Sequence, residues 1–450
     1  MIRSRLTFLP KNKQVAGMAI GAFAMLAMAV PAMTQEDEVF EVTTAIQAGT
    51  NPLVSFDISW IDSGLNRYFL ADRSNNQIDV VNPSDNSITH IAQGIFHGVD
   101  PRGNDFSGPD GVLTVHQESG VTELWVGDSP GKVWVLNAVT GENILGAGKF
   151  IDVGGTTRAD ELCFDSKDHL IMMASPGEDP PFVTFISTTT HQVVQPGGRL
   201  VFDGGDPVMG LKATNGLEQC GWSPKTGLFY QNVPEVNGPG DDTAPGAVAV
   251  IDPKTLTVVN SFPVSIDDCA GPQGMAIGPH NQIMLGCNAA SPNGHRNTAM
   301  INIHSGATLA VFPDLGGADE VWFNEGDGHY FFPSCNTDCR VAGTGPEVLG
   351  VIDSKGHRLD QSVVLASKLG TQTGRRAHSV AADLNTKQVY VPIPANAGGA
   401  TGNDATMCDN APKTVGSPSA SNGCILVFAA TTHDDRSSVA QERGADDHQQ

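Results

Sequence analysis

Seven polar residues occupy one recurring position in this chain: Asp57, Asp110, Asp160, Glu218, Gln273, Asp319 and His378. Each stands just ahead of a short apolar stretch, and the copies recur roughly every 50 residues, the period of a blade-like repeat. Five carboxylates, an amide and an imidazole brought onto one ring would raise one another's pKa values, because like charges at close range disfavour ionisation. A bound cation is the simplest counter-charge. The oxygen-rich set Asp57, Asp110, Asp160, Glu218, Gln273 and Asp319 suits a hard divalent ion, Ca²⁺ before Mg²⁺, since calcium tolerates six to eight oxygens in irregular geometry. With His378 beside carboxylates, a transition metal stays open. The next position along is mixed: Ile58, Gly111, Glu161, Gln219, Gly274, Glu320 and Ser379. For acid–base work on a substrate, the candidates are Glu161, Asp319 and His378. The plainer alternative is that polar residues at strand starts cap turns or line a water-filled tunnel.

The elements that must position these residues are strands. An alternating apolar segment ending in a turn residue recurs seven times, at 77–83 (QIDVVNP), 132–138 (KVWVLNA), 182–188 (FVTFIST), 247–253 (AVAVIDP), 298–304 (TAMINIH), 348–354 (VLGVIDS) and 424–430 (CILVFAA). A second such segment precedes each, from residues 66, 122, 168, 226, 281, 328 and 387. Both are short, rich in β-branched and aromatic residues and bounded by Gly, Pro, Asn and Asp, which is strand chemistry. A third strand lies ahead of each pair. A fourth follows most of them: 86–92, 142–148, 191–197, 256–262, 307–313 and 357–363. Four antiparallel strands per repeat make a propeller blade, so the expected fold is all-β, a seven-bladed β-propeller, with six or eight blades if an end is misjudged. The seventh repeat lacks an outer strand, and residues 39–46 (VFEVTTAI) lack a partner. That segment is expected to complete the last blade and close the ring, removing the edges an open stack would expose. The start of each inner strand then lies at the channel mouth, and the seven polar side chains converge there.

The first 32 residues carry Arg3, Arg5, Lys11 and Lys13, an apolar run over 15–30, and small residues at Ala27, Ala29 and Ala32. This is the pattern of a signal peptide, too short to serve as a span of about 20 apolar residues. The expected domains are therefore a signal peptide at 1–32, a propeller at 33–431 and a charged, Gln-rich disordered tail at 432–450, with export to the periplasm or beyond and no membrane span after cleavage. Cleavage removes four basic residues and no acidic one, taking the formal charge from -23 to -27. So acidic a chain is a poor partner for nucleic acid. The eight cysteines all follow the signal, and an even count in an exported chain favours disulfides. Cys335 with Cys339, and Cys408 with Cys424, are neighbours in sequence; Cys163, Cys220, Cys269 and Cys287 admit three pairings. Zinc is disfavoured because no CxxC pair exists.

The segments 109–112 (PDGV) and 215–217 (NGL), followed by 222–224 (WSP), resemble parts of the gluconolactonase and senescence-marker-protein propellers. The strands ending in IDP or NP also resemble YVTN-type and NHL-type propellers. The first resemblance implies a divalent cation at the channel mouth held by an Asp from PDG and an Asn from NGL, here Asp110 and Asn215, with no match for the third ligand, a Glu. This chain departs from that pattern. Glu218 rather than Asn215 falls in the recurring column, PDG precedes NGL, Gln273 stands where the Asp is expected, and that family has six blades. Two functions follow. One is metal-dependent hydrolysis of a lactone or ester, with a small-molecule substrate in the channel, a cation polarising the carbonyl and a carboxylate activating water. The other is a non-enzymatic scaffold that recognises a protein or small ligand through loops 237–246, 289–296, 337–346 and 395–423.

Overall fold

The computed structural model describes residues 38–431 apart from 206–209, 293, 295, 314, 336–346, 367–376 and 396–406. The expected signal peptide, the tail, loop 337–346, Cys339 with its expected bond to Cys335, and most of 395–406 therefore lie outside the described residues.

Seven antiparallel sheets follow one another along the chain. Their innermost strands are Ser59–Asp62, Val112–His116, Leu162–Asp165, Cys220–Ser223, Ala270–Gly278, Trp322–Asn324 and Ala381–Ala382. Each of these touches the next, and the last touches the first, so the sheets close into a ring. Among the described residues, helix is limited to one turn at Asn104–Phe106 and one at Met407–Asn410. Residues alternate faces along a strand, so each blade presents apolar side chains to both neighbours. In the first blade Tyr68 and Leu70 pack with Tyr390 and Val427 of the seventh, while Phe69 and Ala71 pack with Leu124 and Val126 of the second. Seven such clusters fill the seven joints between blades.

The ring closes as the orphan N-terminal segment requires. Val39–Ile46 pairs antiparallel with Cys424–Thr431, with Phe40 opposite Ala430 and Ile46 opposite Ile425. A further strand, Lys413–Val415, adds in parallel on its outer side. One expected outer strand is absent. Residues 142–148 turn back on themselves, with Gly146 and Gly148 at positive φ and Asn143 bonding both the Leu145 N–H and the Lys149 carbonyl. The outer edge of the second blade falls instead to Ile151–Asp152.

Three disulfides are described. Cys408–Cys424 is the pair expected from proximity, and the open pairing resolves into Cys163–Cys220, joining the third and fourth inner strands, and Cys269–Cys287 within the fifth blade. Pairs of this number suit an oxidising compartment. No described helix is long and apolar enough to cross a membrane.

Candidate functional site at the channel mouth

The recurring column takes up one structural position. The backbone N–H groups of Asp57, Asp110, Asp160 and Glu218 donate to the carbonyls of Ala71, Gly127, Ala174 and Asn232 on their second strands. Glycine at the neighbouring position lets adjacent blades approach: a Cβ on Gly111 would meet the Asp160 carbonyl oxygen at 2.0 Å, and one on Gly274 would meet Val321 Cγ2 at 2.6 Å.

Six column members, Asp57, Asp160, Glu218, Gln273, Asp319 and His378, line a polar cavity of about 240 Å³, together with Asn104, Arg158, Glu161 and Glu320. Asp110 is the exception. It is fully buried and does not line this cavity, but its carboxylate groups with those of Asp57 and Asp160. Asn215, implied by the resemblance, also lies away from the cavity, where its Nδ2 donates to Asp242 Oδ1 at 2.6 Å. The His378 ring stacks on Phe56 at 4.3 Å, with Nε2 3.7 Å from Asp57 Oδ1. Ser379 points the other way, and its hydroxyl accepts the Ser59 N–H at 2.7 Å, tying the seventh blade to the first.

Much of the counter-charge is internal, which sequence reasoning missed. Arg73, buried, donates through Nη2 to Asp57 Oδ2 at 2.5 Å and through Nε to Asp110 Oδ1 at 3.0 Å. Arg158 Nη2 lies 2.8 Å from Asp160 Oδ2, and Nη1 lies 3.8 Å from Asp57. The Arg158 signal was present, since residues two apart on an extended chain share a face. Arg73 follows a second strand and meets the column only through the fold.

The ring is consequently uneven. On one arc sit Asp57, Asp110 and Asp160, whose oxygens lie within 4.8 Å of one another, close enough to hold a metal ion, and which the two guanidiniums also share. On the other arc sit Glu218, Gln273 and Asp319, where Gln273 Nε2 donates to Glu218 Oε1 at 3.3 Å. Gln273 Oε1 is buried and accepts no hydrogen bond. Between the arcs, Glu161 and Glu320 bond to each other across the channel, and Gln219 Nε2 donates to Glu320 Oε2 at 2.8 Å. A second close group, Glu38, Asp327 and His329, lies at the closure seam, where Lys387 holds Glu38 at 2.9 Å.

Burial, with Arg158 in opposition, pushes Asp160 up to about 7 from an ordinary 3.8. Burial, then neighbouring carboxylates, holds Glu161 well above its ordinary value; burial, then Asp319, does the same to Glu218. Burial raises Asp110 and Glu320 likewise. For Asp57 burial also raises, but Arg73, His378 and Arg158 outweigh it and leave the carboxyl below the usual range. The folded protein thus holds protons that the unfolded chain releases, and their stabilisation is complete below pH 3.8 and lost as pH climbs through about 7. Asp57 acts in the opposite sense, but only below its ordinary 3.8. In chelator, the melting temperature should therefore be higher at pH 5 than at pH 8, and Asp160→Asn should narrow the gap. A protein that melts higher at pH 8 would contradict this.

Neither a known family profile nor any curated protein matches the chain by sequence. Among solved structures, a chain from the crystal structure of a mitotic checkpoint complex superposes with a TM-score of 0.50 at 12% identity, over 94% of this chain and 100% of that one. At that identity the likeness bears on fold alone. It agrees with a seven-bladed propeller, while the narrower likeness to gluconolactonase, YVTN or NHL propellers has no sequence match behind it.

Proposed function

We propose that this is an exported propeller that holds a divalent cation, calcium by its donor chemistry, at the channel mouth and uses it to hydrolyse a small lactone or ester. The observation that carries this reading is the unpaired arc. Glu218, Gln273 and Asp319 line the cavity, none of them bonded to an arginine, and the buried Gln273 Oε1 lacks a donor, so a hard cation could take oxygens from this side without displacing either arginine. Such an ion would polarise a carbonyl. Asp160, poised near neutrality across the cavity, would take a proton from water as it adds to the carbonyl carbon, and the ring-opened or cleaved alkoxide would leave with that proton. Glu161 and His378 line the same cavity and would orient the substrate. The three disulfides support export.

A screen of γ- and δ-lactones and aryl esters tests the reading. Turnover should vanish in chelator, return with Ca²⁺, and fall about 100-fold or more in Asp160→Asn, as expected when a general base is lost. Turnover indifferent to chelator would overturn it. No turnover by the calcium-loaded protein would favour the second reading, a binding propeller without catalysis, which the rigid Arg73 and Arg158 network already supports as architecture.

A further inference from the structure

Below the polar mouth the channel widens into a second cavity of about 410 Å³, of the size that takes a small organic molecule. Its walls come from the inner strands and carry Trp60, Trp222, Trp322, Phe164, Phe323 and Ile277, all only half-buried. Trp60 and Trp322 meet edge to face at 5.1 Å, and the Trp60 Nε1–H donates to Thr114 Oγ1 at 3.0 Å, which fixes the ring. Among the described residues, the charged ones lining this chamber are Glu161 and Glu320, and both also line the polar cavity above. No Lys, Arg or His among the described residues shares the wall.

We infer that this aromatic chamber binds an amphipathic organic cation, an amine or quaternary ammonium carried on an aromatic body, with its positive end at Glu161 and Glu320. Aromatic faces attract cations and stack on apolar rings, so the walls suit both halves of such a ligand. The ionisable side chains described on the chamber wall are these two carboxyl groups, at the end it shares with the polar cavity, so a cation finds acidic partners there while an anion finds no cationic one. The inference does not depend on the proposed hydrolysis or on the cation above.

The test is fluorescence and calorimetric titration of the mature protein in chelator. Of five tryptophans, three line the chamber and the others, Trp125 and Trp134, are buried in the blades, so quenching reports on this cavity. Phenethylamine and benzyltrimethylammonium should quench and bind at least tenfold more tightly than 2-phenylethanol, and 3-phenylpropionate should not bind. Glu320→Gln should erase the preference for cations while retaining 2-phenylethanol, and Glu161→Gln serves the same purpose if that variant does not fold. Equal binding of cation and alcohol, binding of the carboxylate, or no quenching by any probe would overturn the assignment.

Discussion

Replacing Arg73 with methionine should destabilise the protein by about 3–5 kcal/mol, the usual cost of stripping one partner from a buried ion pair. Arg73 is 2% exposed, and its guanidinium bonds Asp57 and Asp110, themselves 8% and 0% exposed. Methionine fills much of the stem but leaves two carboxylates in a dry wall with Arg158 as their remaining cation, 3.8 Å from Asp57. They would have to take up protons to stay buried. The loss should accordingly be larger at pH 8 than at pH 5, and Asp110→Asn in the same chain should recover part of it. Denaturant unfolding followed by near-ultraviolet circular dichroism reads both effects. A loss under about 1 kcal/mol, the range of an exposed pair, would mean that the arginine is not the counter-charge described.

The second large effect is expected at the seam. Phe40→Ala should cost about 3–5 kcal/mol, the range for truncating a buried phenylalanine. Phe40 is fully buried against Phe331 at 4.9 Å, and both its backbone groups are held by Gln361, whose Oε1 accepts the N–H at 2.8 Å and whose Nε2 donates to the carbonyl at 2.9 Å. The closing strand thus binds the sixth blade as well as the seventh. Loosening it exposes the edge of Cys424–Thr431, and an unpaired edge invites association with another chain. Unfolding by denaturant measures the cost, and light scattering should show the variant aggregating well before wild type on heating. Wild-type stability in this variant would place closure elsewhere.

The fold was legible because its signal is repeated. Seven alternating strands with the same turn chemistry leave little choice of architecture, and the unpaired segment at 39–46 could only complete the seventh blade. Where a single blade departs from the pattern, as at 142–148, apolar residues that look like a strand are overruled by glycines that turn the chain. The convergence of the column on the axis was readable for the same reason. Its electrostatics were not, because Arg73 reaches Asp110 across 37 residues and a blade boundary. The partnership of Glu161 with Glu320 likewise spans the channel, from the third blade to the sixth, and nothing local announces it. The aromatic chamber was missed because Trp60, Trp222 and Trp322 do not share one offset from the column, so only the closed ring brings them together.

The central claim is that the unpaired arc holds a divalent cation, and anomalous X-ray diffraction from crystals of the mature protein grown in Mn²⁺, a calcium surrogate with a measurable signal, tests it most directly. The account predicts a peak on the channel axis in contact with Glu218, Asp319 and Gln273 Oε1, absent from crystals of Glu218→Gln grown in the same way. A channel mouth without a peak, with Arg73 and Arg158 still holding Asp57, Asp110 and Asp160, would contradict it.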